Sequence, residues 1–328
     1  MLGAVEDGAT RIVPQRNGIH EGRVRFRVQN IRVAADDGGR FYLCDENGAE
    51  AQLPVTGGET ELAVDEVFKP NWGQTYTHRL LEWQATKHGM ALIYASGAVL
   101  PEGSVVVSGF RGVGKSATVL ALLEHAVGYL GQDRVVLAGD GSVAALPVPV
   151  QLFLSRRYEL DAAAARRALS AAELRKVRLL PVLLARARGR VHGRLERELQ
   201  ARFVPFDVAR AFPSLRFPER VHLDALVFLI PDERATTEAV PIDASELEHR
   251  TAQTMKYLHD AYISPFECMF ASAFPDRGVW PVAPLDVSLE LLGSLLRGVR
   301  GWVLRAKPAT PPKELAAAIR STLTASAG

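Results

Sequence analysis

The chain is 328 residues long, with 48% hydrophobic and 23% charged residues. This composition is typical of a folded globular protein and excludes intrinsic disorder or a fibrous repeat as the overall description. The formal net charge is only +2 at pH 7, and two cysteines, Cys44 and Cys268, are too few for a disulfide framework. A reducing compartment is therefore expected.

The first 68 residues predict a small β-rich N-terminal module. Short runs of alternating apolar residues between 23 and 64 are separated by Asp-Gly and Asn-Gly pairs, which favour hairpin turns. The N-terminus carries early acidic residues and no apolar stretch of signal-peptide length. Since no run approaches the roughly 20 apolar residues that cross a bilayer, we expect a cytoplasmic protein with no membrane segment.

Alternating elements follow the N-terminal module. The pattern predicts a helix over 75–88, strands over 90–96 and 104–108, a helix from Ala117 to about Tyr129, and strands over 134–138 and 142–146. The turn Gly139-Asp140-Gly141 joins the last two strands as a hairpin. A mixed α/β domain is therefore predicted over 69–305.

The remaining elements are mostly helical. Residues 159–202 predict helix with a break near Pro181, and the apolar run 223–231 predicts a buried strand. Helices are expected over about 244–261 and 285–298. A linker and a short terminal helix, with Thr310 as its N-cap, complete the chain over 306–328.

The segment GFRGVGKS fits the phosphate-loop pattern G-x-x-x-x-G-K-[ST] between a predicted strand and a predicted helix. Glycines let successive backbone N–H groups surround phosphate oxygens at the positive end of the helix. Lys115 is expected to reach the β and γ phosphates, and the Ser116 hydroxyl to ligate Mg²⁺. The predicted nucleotide-binding residues are Gly109, Phe110, Arg111, Gly112, Val113, Gly114, Lys115, Ser116 and Ala117.

A phosphate loop needs a carboxylate for Mg²⁺ and, for transfer to a hydroxyl, a base. Two places supply one: Asp133, after the helix that follows the loop, and Asp232-Glu233, after the apolar run ending at Pro231. Proline before the second pair favours a turn there. The spacing from the phosphate loop therefore favours Asp133 as the acid of the site.

The run from residue 88 to 153 resembles the core of the HPr kinase/phosphorylase family and its kinase relatives, which are related in fold to phosphoenolpyruvate carboxykinases. An apolar strand preceded by His88, a second strand, the phosphate loop and its helix, the Asp133 turn and a glycine-containing hairpin carry the resemblance. It implies an α/β fold with a mixed sheet and flanking helices. It also implies an ATP- and Mg²⁺-dependent kinase, and relatives of this kind often form homo-oligomers. By this resemblance, Lys115 is the catalytic lysine that binds phosphate and Ser116 is a metal ligand. Asp133 is both a metal ligand and the catalytic base that takes the substrate's proton.

The sequence departs from that family at two points. Gln132 stands before Asp133 where the family usually has a second acid, and the later Arg-Gly signature is missing. These departures favour the kinase activity over the phosphorylase activity. His88 is interpreted as a packing or capping residue at a helix end rather than a catalytic one.

Residues 156–202, called here the Arg-rich segment, contain thirteen Arg or Lys against five Asp or Glu. A solvated helix face is the simpler interpretation, and a surface for an anionic partner is the alternative. The segment lacks the interleaved aromatic residues typical of nucleic-acid binding. A stretch with two glycines, 185–194, is expected to form a mobile loop.

Together these features predict transfer of the γ-phosphoryl group of ATP to a hydroxyl of a peptide, protein or small molecule. Two alternatives remain at this point: a phosphate-loop ATPase or GTPase, and a nucleotide-sensing module without an acceptor. No motif in the sequence distinguishes ATP from GTP or names the acceptor.

Overall fold

A computed structural model of the chain describes the strands of the first 65 residues together with residues 82, 85–146, 149–156, 158–200, 202–262 and 285–325. Most of the helix expected over 75–88 lies outside these residues, and 85–87 are helical. The chain forms two compact units, Met1–Gly89 with Met255–Glu290, and Met90–Thr254 with Leu291–Gly328. The predicted domain boundaries at residues 68 and 305 stay predictions.

The first unit contains a six-stranded sheet, as its alternating pattern predicts. The strands are β1 (Arg11–Gln15), β2 (Arg23–Val28), β3 (Ile31–Ala35), β4 (Phe41–Cys44), β5 (Glu50–Leu53) and β6 (Glu61–Asp65). Their order is β1-β6-β5-β4-β3-β2. Neighbours from β2 to β6 pair antiparallel, whereas β1 and β6 pair parallel.

The second unit is built on a mixed sheet of six strands in the order β10-β8-β9-β16-β18-β17. Its strands are β8 (Ala95–Leu100), β9 (Gly103–Ser108), β10 (Gly128–Gly131), β16 (Ala225–Pro231), β17 (Glu238–Ile242) and β18 (Arg300–Ala306). The three central strands, β9, β16 and β18, run parallel, and burial explains the continuous apolar runs in β9 and β16. Strands over 104–108 and 223–231 are thereby confirmed, while β10, β17 and β18 were not predicted.

Smaller sheets complete this unit. An antiparallel sheet has the order β15-β12-β11-β7, and β13 pairs with β14. These strands are β7 (Ala91–Ile93), β11 (Val135–Ala138), β12 (Ser142–Ala144), β13 (Val150–Phe153), β14 (Phe203–Phe206) and β15 (Arg220–His222). The hairpin at Gly139-Asp140-Gly141 is confirmed by the β11–β12 pairing. The strand expected over 90–96 is instead interrupted at Tyr94, where the chain passes from one sheet to another.

Helix α1 (Lys115–Leu122) packs with the C-terminal helix α8 (Pro312–Ala325). Leu120 and Ile319, for example, lie in the same buried core as the central strands. The prediction that the first helix extends to about Tyr129 is wrong, because Gly128–Gly131 pairs with β8 as strand β10. Thr310 lies two residues before Pro312, the first residue of α8, rather than at its N-cap.

The Arg-rich segment forms helices α2 (Ala162–Ala168), α3 (Ala171–Arg186) and α4 (Gly189–Gln200). Asp161 caps α2, and Ser170 with Glu173 forms a capping box at the start of α3. The predicted break at Pro181 is wrong: Val177, Pro181 and Leu184 are buried at helical spacing, and their packing keeps α3 continuous. The predicted loop over 185–194 is also wrong, since α4 begins at Gly189.

Three further helices are α5 (Val208–Ala211), α6 (Ala244–Tyr262) and α7 (Leu285–Leu295). The last two agree with the helices predicted over 244–261 and 285–298. None of the helices in the described part of the chain is long and apolar enough to span a membrane.

Candidate nucleotide site

The phosphate-loop sequence connects the carboxyl end of β9 to the start of α1. Gly109 has a φ of 135°, and a Cβ there would lie 2.8 Å from the Leu229 carbonyl oxygen on the neighbouring strand. Gly114 caps α1 in the left-handed region, with a φ of 103°, and its carbonyl accepts from the Thr118 N–H at 2.9 Å. Only glycine suits both positions, and the first N–H groups of α1 point out of the helix toward the loop.

The side chain of Lys115 folds back against the phosphate loop. Its Nζ donates to the carbonyls of Gly109 and Phe110, at 2.8 and 2.9 Å, and lies 3.8 Å from the centre of the Tyr94 ring. The side chain is only 4% exposed. The ammonium is therefore held at the floor of the loop, where an incoming phosphate would replace the two carbonyls as its partner.

The electrostatics of Lys115 are unusual for a lysine. Burial lowers its pKa from the ordinary 10.5 to about 7, against the opposing effect of the Asp133 carboxylate. The charges of Arg134, Arg156 and Arg111 lower this pKa further. The charges of three arginines thus act on Lys115 together with that of Asp133, an environment that favours a bound anion.

Asp133 lies in the turn between β10 and β11 with a φ of 62°, the one non-glycine residue in the described part of the chain with a positive φ. Its N–H donates to Ser96 Oγ at 3.3 Å, and its carbonyl accepts from Arg134 Nη1 at 2.8 Å. Its carboxylate acts electrostatically on Lys115. Such backbone outliers are concentrated at functional sites. The fold therefore brings together the two residues that the sequence predicts as catalytic.

Gln132 joins the loop helix to β13. Its Oε1 accepts from the Gln151 N–H at 2.7 Å, and its Nε2 donates to Ser116 Oγ at 2.9 Å. Because a backbone N–H only donates, this pairing sets the orientation of the amide. The Ser116 hydroxyl receives a hydrogen bond here, which leaves its proton and its second lone pair available to a phosphate oxygen or a metal ion.

The residues present fit a magnesium ion bound together with nucleotide phosphates. Mg²⁺ in such sites takes one or two protein oxygens, and phosphate and water oxygens complete its shell. Ser116 and Asp133 offer oxygen donors on two neighbouring elements. Among the residues that the structure describes, no three His, Cys, Asp or Glu side chains lie close enough to hold a metal by themselves.

The other predicted loop residues differ in exposure. Phe110 is 49% exposed, Arg111 is exposed, and Ala117 is half-buried in the first turn of α1. Val113 packs against the core and contacts the Gly109 region. The rear of the loop is thus anchored in the core, and its front faces solvent.

The rival acid lies in a turn, as its sequence indicated. Asp232 Oδ1 accepts from the Arg234 N–H at 2.9 Å, directly after β16 ends at Pro231. His88 is exposed in a turn, where its N–H donates to the Ala85 carbonyl. Asp232 and His88 therefore both lie in turns.

Sequence reasoning missed three residues that the fold brings to the loop: Tyr94, Arg134 and Arg156. Arg134 and Lys115 both lie over the Tyr94 ring, the guanidinium carbon at 4.9 Å from its centre. Arg156 Nη2 lies 3.3 Å from the position of a Cβ built on Gly112. Its place at the start of the Arg-rich segment was a signal for Arg156, whereas nothing in the sequence marks Tyr94.

No protein-family model and no curated protein matches the chain. Among solved structures, the chain overlaps the HPr(Ser) kinase/phosphatase from Coxiella burnetii with a TM-score of 0.33 and 9% identity, over 72% of this chain and 99% of that one. Since an overlap of this size establishes no family, the resemblance continues to rest on residues 88–153.

Proposed function

We propose that the protein is an ATP- and Mg²⁺-dependent kinase that transfers the γ-phosphoryl group to a hydroxyl of a peptide, protein or small molecule. One observation carries the proposal: a buried lysine lies at the floor of a glycine loop, and the Asp133 carboxylate acts on its charge. That pairing supplies a phosphate ligand and a proton acceptor in one place.

Each residue has a distinct task in this proposal. The loop N–H groups and Lys115 bind the phosphates, and Ser116 and Asp133 would hold Mg²⁺. When bound, the ion would neutralise negative charge on the phosphate oxygens. The Asp133 carboxylate accepts the proton of the acceptor hydroxyl while the oxygen of that hydroxyl bonds to the γ-phosphorus.

The test is transfer of labelled γ-phosphate from ATP to a panel of hydroxyl acceptors, followed by mass spectrometry. We expect Lys115→Ala to lose ATP affinity, and Asp133→Asn to keep ATP binding while losing transfer by at least about a hundredfold. Asp232→Asn is the matched control and should retain transfer. Full transfer activity in Asp133→Asn would refute the assignment of the base.

Gln132 favours a second candidate, a nucleotide-binding module without an acceptor. The Gln132 amide cannot act as a base for a hydroxyl proton. Asp133 is the only carboxylate of this turn, so it would have to serve as both metal ligand and base. Tight ATP binding without product in any acceptor screen would support this candidate. Steady phosphate release without an acceptor would instead indicate an ATPase or GTPase.

A further inference from the structure

Arg156 is positioned beside the phosphate loop by the strand that precedes it. Strand β13 pairs with β14 along its whole length, and the Arg156 N–H then donates to the Phe153 carbonyl at 3.0 Å to close a turn. The guanidinium carbon lies 5.9 Å from the centre of the Phe153 ring. Both contacts direct the side chain toward Gly112, where its Nη2 comes within 3.3 Å of a Cβ position.

Gly112 places no side chain between the loop backbone and Arg156. A methyl group there would lie 3.3 Å from Nη2, a tight contact that a small shift of the exposed guanidinium would relieve. The approach joins two segments that are distant in sequence. Arg156 lies in the turn after β13, ahead of the three helices of the Arg-rich segment.

The charge of Arg156 acts into the same site. Burial lowers the pKa of Lys115 and raises that of Tyr158, and the charge of Arg156 adds to the first shift and opposes the second, so its field reaches both side chains. Among the residues that the structure describes, the Arg156 guanidinium forms no ion pair with an acid. Arg156 and Lys115 repel each other, the Asp133 carboxylate opposes that effect on Lys115, and a bound anion would relieve the repulsion further.

We propose that Arg156 is a catalytic residue that contacts the terminal phosphate of the nucleotide from within the same chain. This inference rests on the proposed function. Its guanidinium presents several N–H donors in a fixed plane, which suits two phosphate oxygens at once. Lys115 binds that phosphate from the floor of the loop, and Arg156 binds it from the open side above Gly112.

The contact between Arg156 and the terminal phosphate has its largest effect during phosphoryl transfer. The acceptor oxygen bonds to the γ-phosphorus, the bond to the β–γ bridging oxygen breaks, and its electron pair stays on the departing diphosphate. The hydroxyl proton passes to Asp133. Arg156 stabilises the charge on the transferring group and on the bridging oxygen, as preorganised donors do in phosphoryl transfer.

The experiment compares Arg156→Ala and Arg156→Lys with a matched control, Arg194→Ala. Arg194 is an exposed arginine of the same segment, on α4, where it pairs with Glu198. Equilibrium affinities for ATP and ADP are measured first, because they report on the terminal phosphate without any turnover. Single-turnover transfer is measured second, with a hydroxyl acceptor identified in the labelling screen.

We expect Arg156→Ala to weaken ATP binding by about tenfold and ADP binding by less than about threefold. Transfer should fall by about a hundredfold, with partial recovery in Arg156→Lys and no change in Arg194→Ala. Wild-type ATP affinity in Arg156→Ala, alongside loss of binding in Lys115→Ala, would overturn the role of Arg156 alone.

Failure of the proposed function looks different. Wild-type protein that binds ATP but transfers nothing would refute the kinase, while the ATP-against-ADP comparison would still decide the phosphate contact. Wild-type protein that binds no nucleotide would overturn both proposals.

Discussion

Raising the pH from 7 to 9 should weaken nucleotide binding by about fiftyfold, because Lys115 loses its charge in the empty site over that range. Burial lowers its pKa to about 7, so about half of the molecules carry the ammonium at pH 7 and about one in a hundred at pH 9. Phosphate oxygens placed against Nζ favour the charged form, so binding takes up a proton above pH 7. The fiftyfold change corresponds to about 2.3 kcal/mol.

Isothermal titration calorimetry of Mg·ATP in buffers of different ionisation enthalpy measures both the affinity and the proton uptake. Uptake should approach one proton per nucleotide at pH 8.5. Lys115→Arg is the control, since its guanidinium stays charged throughout and should give a flat profile. A wild-type affinity that stays constant from pH 7 to 9, with no proton uptake, would refute the argument from burial.

Three further predictions concern the same loop. From pH 7 to pH 9, the free energy of unfolding of the empty protein should rise by about 2.3 kcal/mol in total relative to Lys115→Met, because the unfolded lysine stays protonated while the folded one goes from about half protonated to almost none. A stability difference between the two proteins that stays constant with pH would contradict this. Gln132→Glu should lower the Mg²⁺ concentration needed for half-maximal ATP binding, because it adds a carboxylate beside Ser116; an unchanged Mg²⁺ titration would argue against a metal there. Gly109→Ala should destabilise the protein by about 1–3 kcal/mol in urea denaturation, whereas Gly139→Ala, which meets nothing within 4 Å, is its control.

Much of the second unit could be predicted because its signals are local. The apolar runs at 104–108 and 225–231, the glycine loop and the turn at 139–141 each specify their conformation within about ten residues. Strand β10 could not be found this way, because its backbone is extended by pairing with β8 and not by its own pattern. The break predicted at Pro181 was wrong for the same reason, because burial of one face of α3 stabilises the helix more than the proline destabilises it.

Some residues of the candidate site could likewise be predicted from the sequence, whereas their contacts could not. Lys115, Ser116 and Asp133 could be named from spacing and resemblance, and Gln132 stood out as a departure. Its hydrogen bonds to residues 116 and 151, however, join three elements that lie far apart in the chain.

The sequence by itself determined the strand, loop and helix around Lys115, because glycine positions and apolar runs act over a few residues. Only the tertiary structure decided how that lysine is charged and what surrounds it. Burial lowers its pKa, and the packing of β13 and of the β10–β11 turn brings Arg156 and Asp133 to it. Desolvation and charge pairing depend on distances between remote segments, so they arise only when the chain is folded.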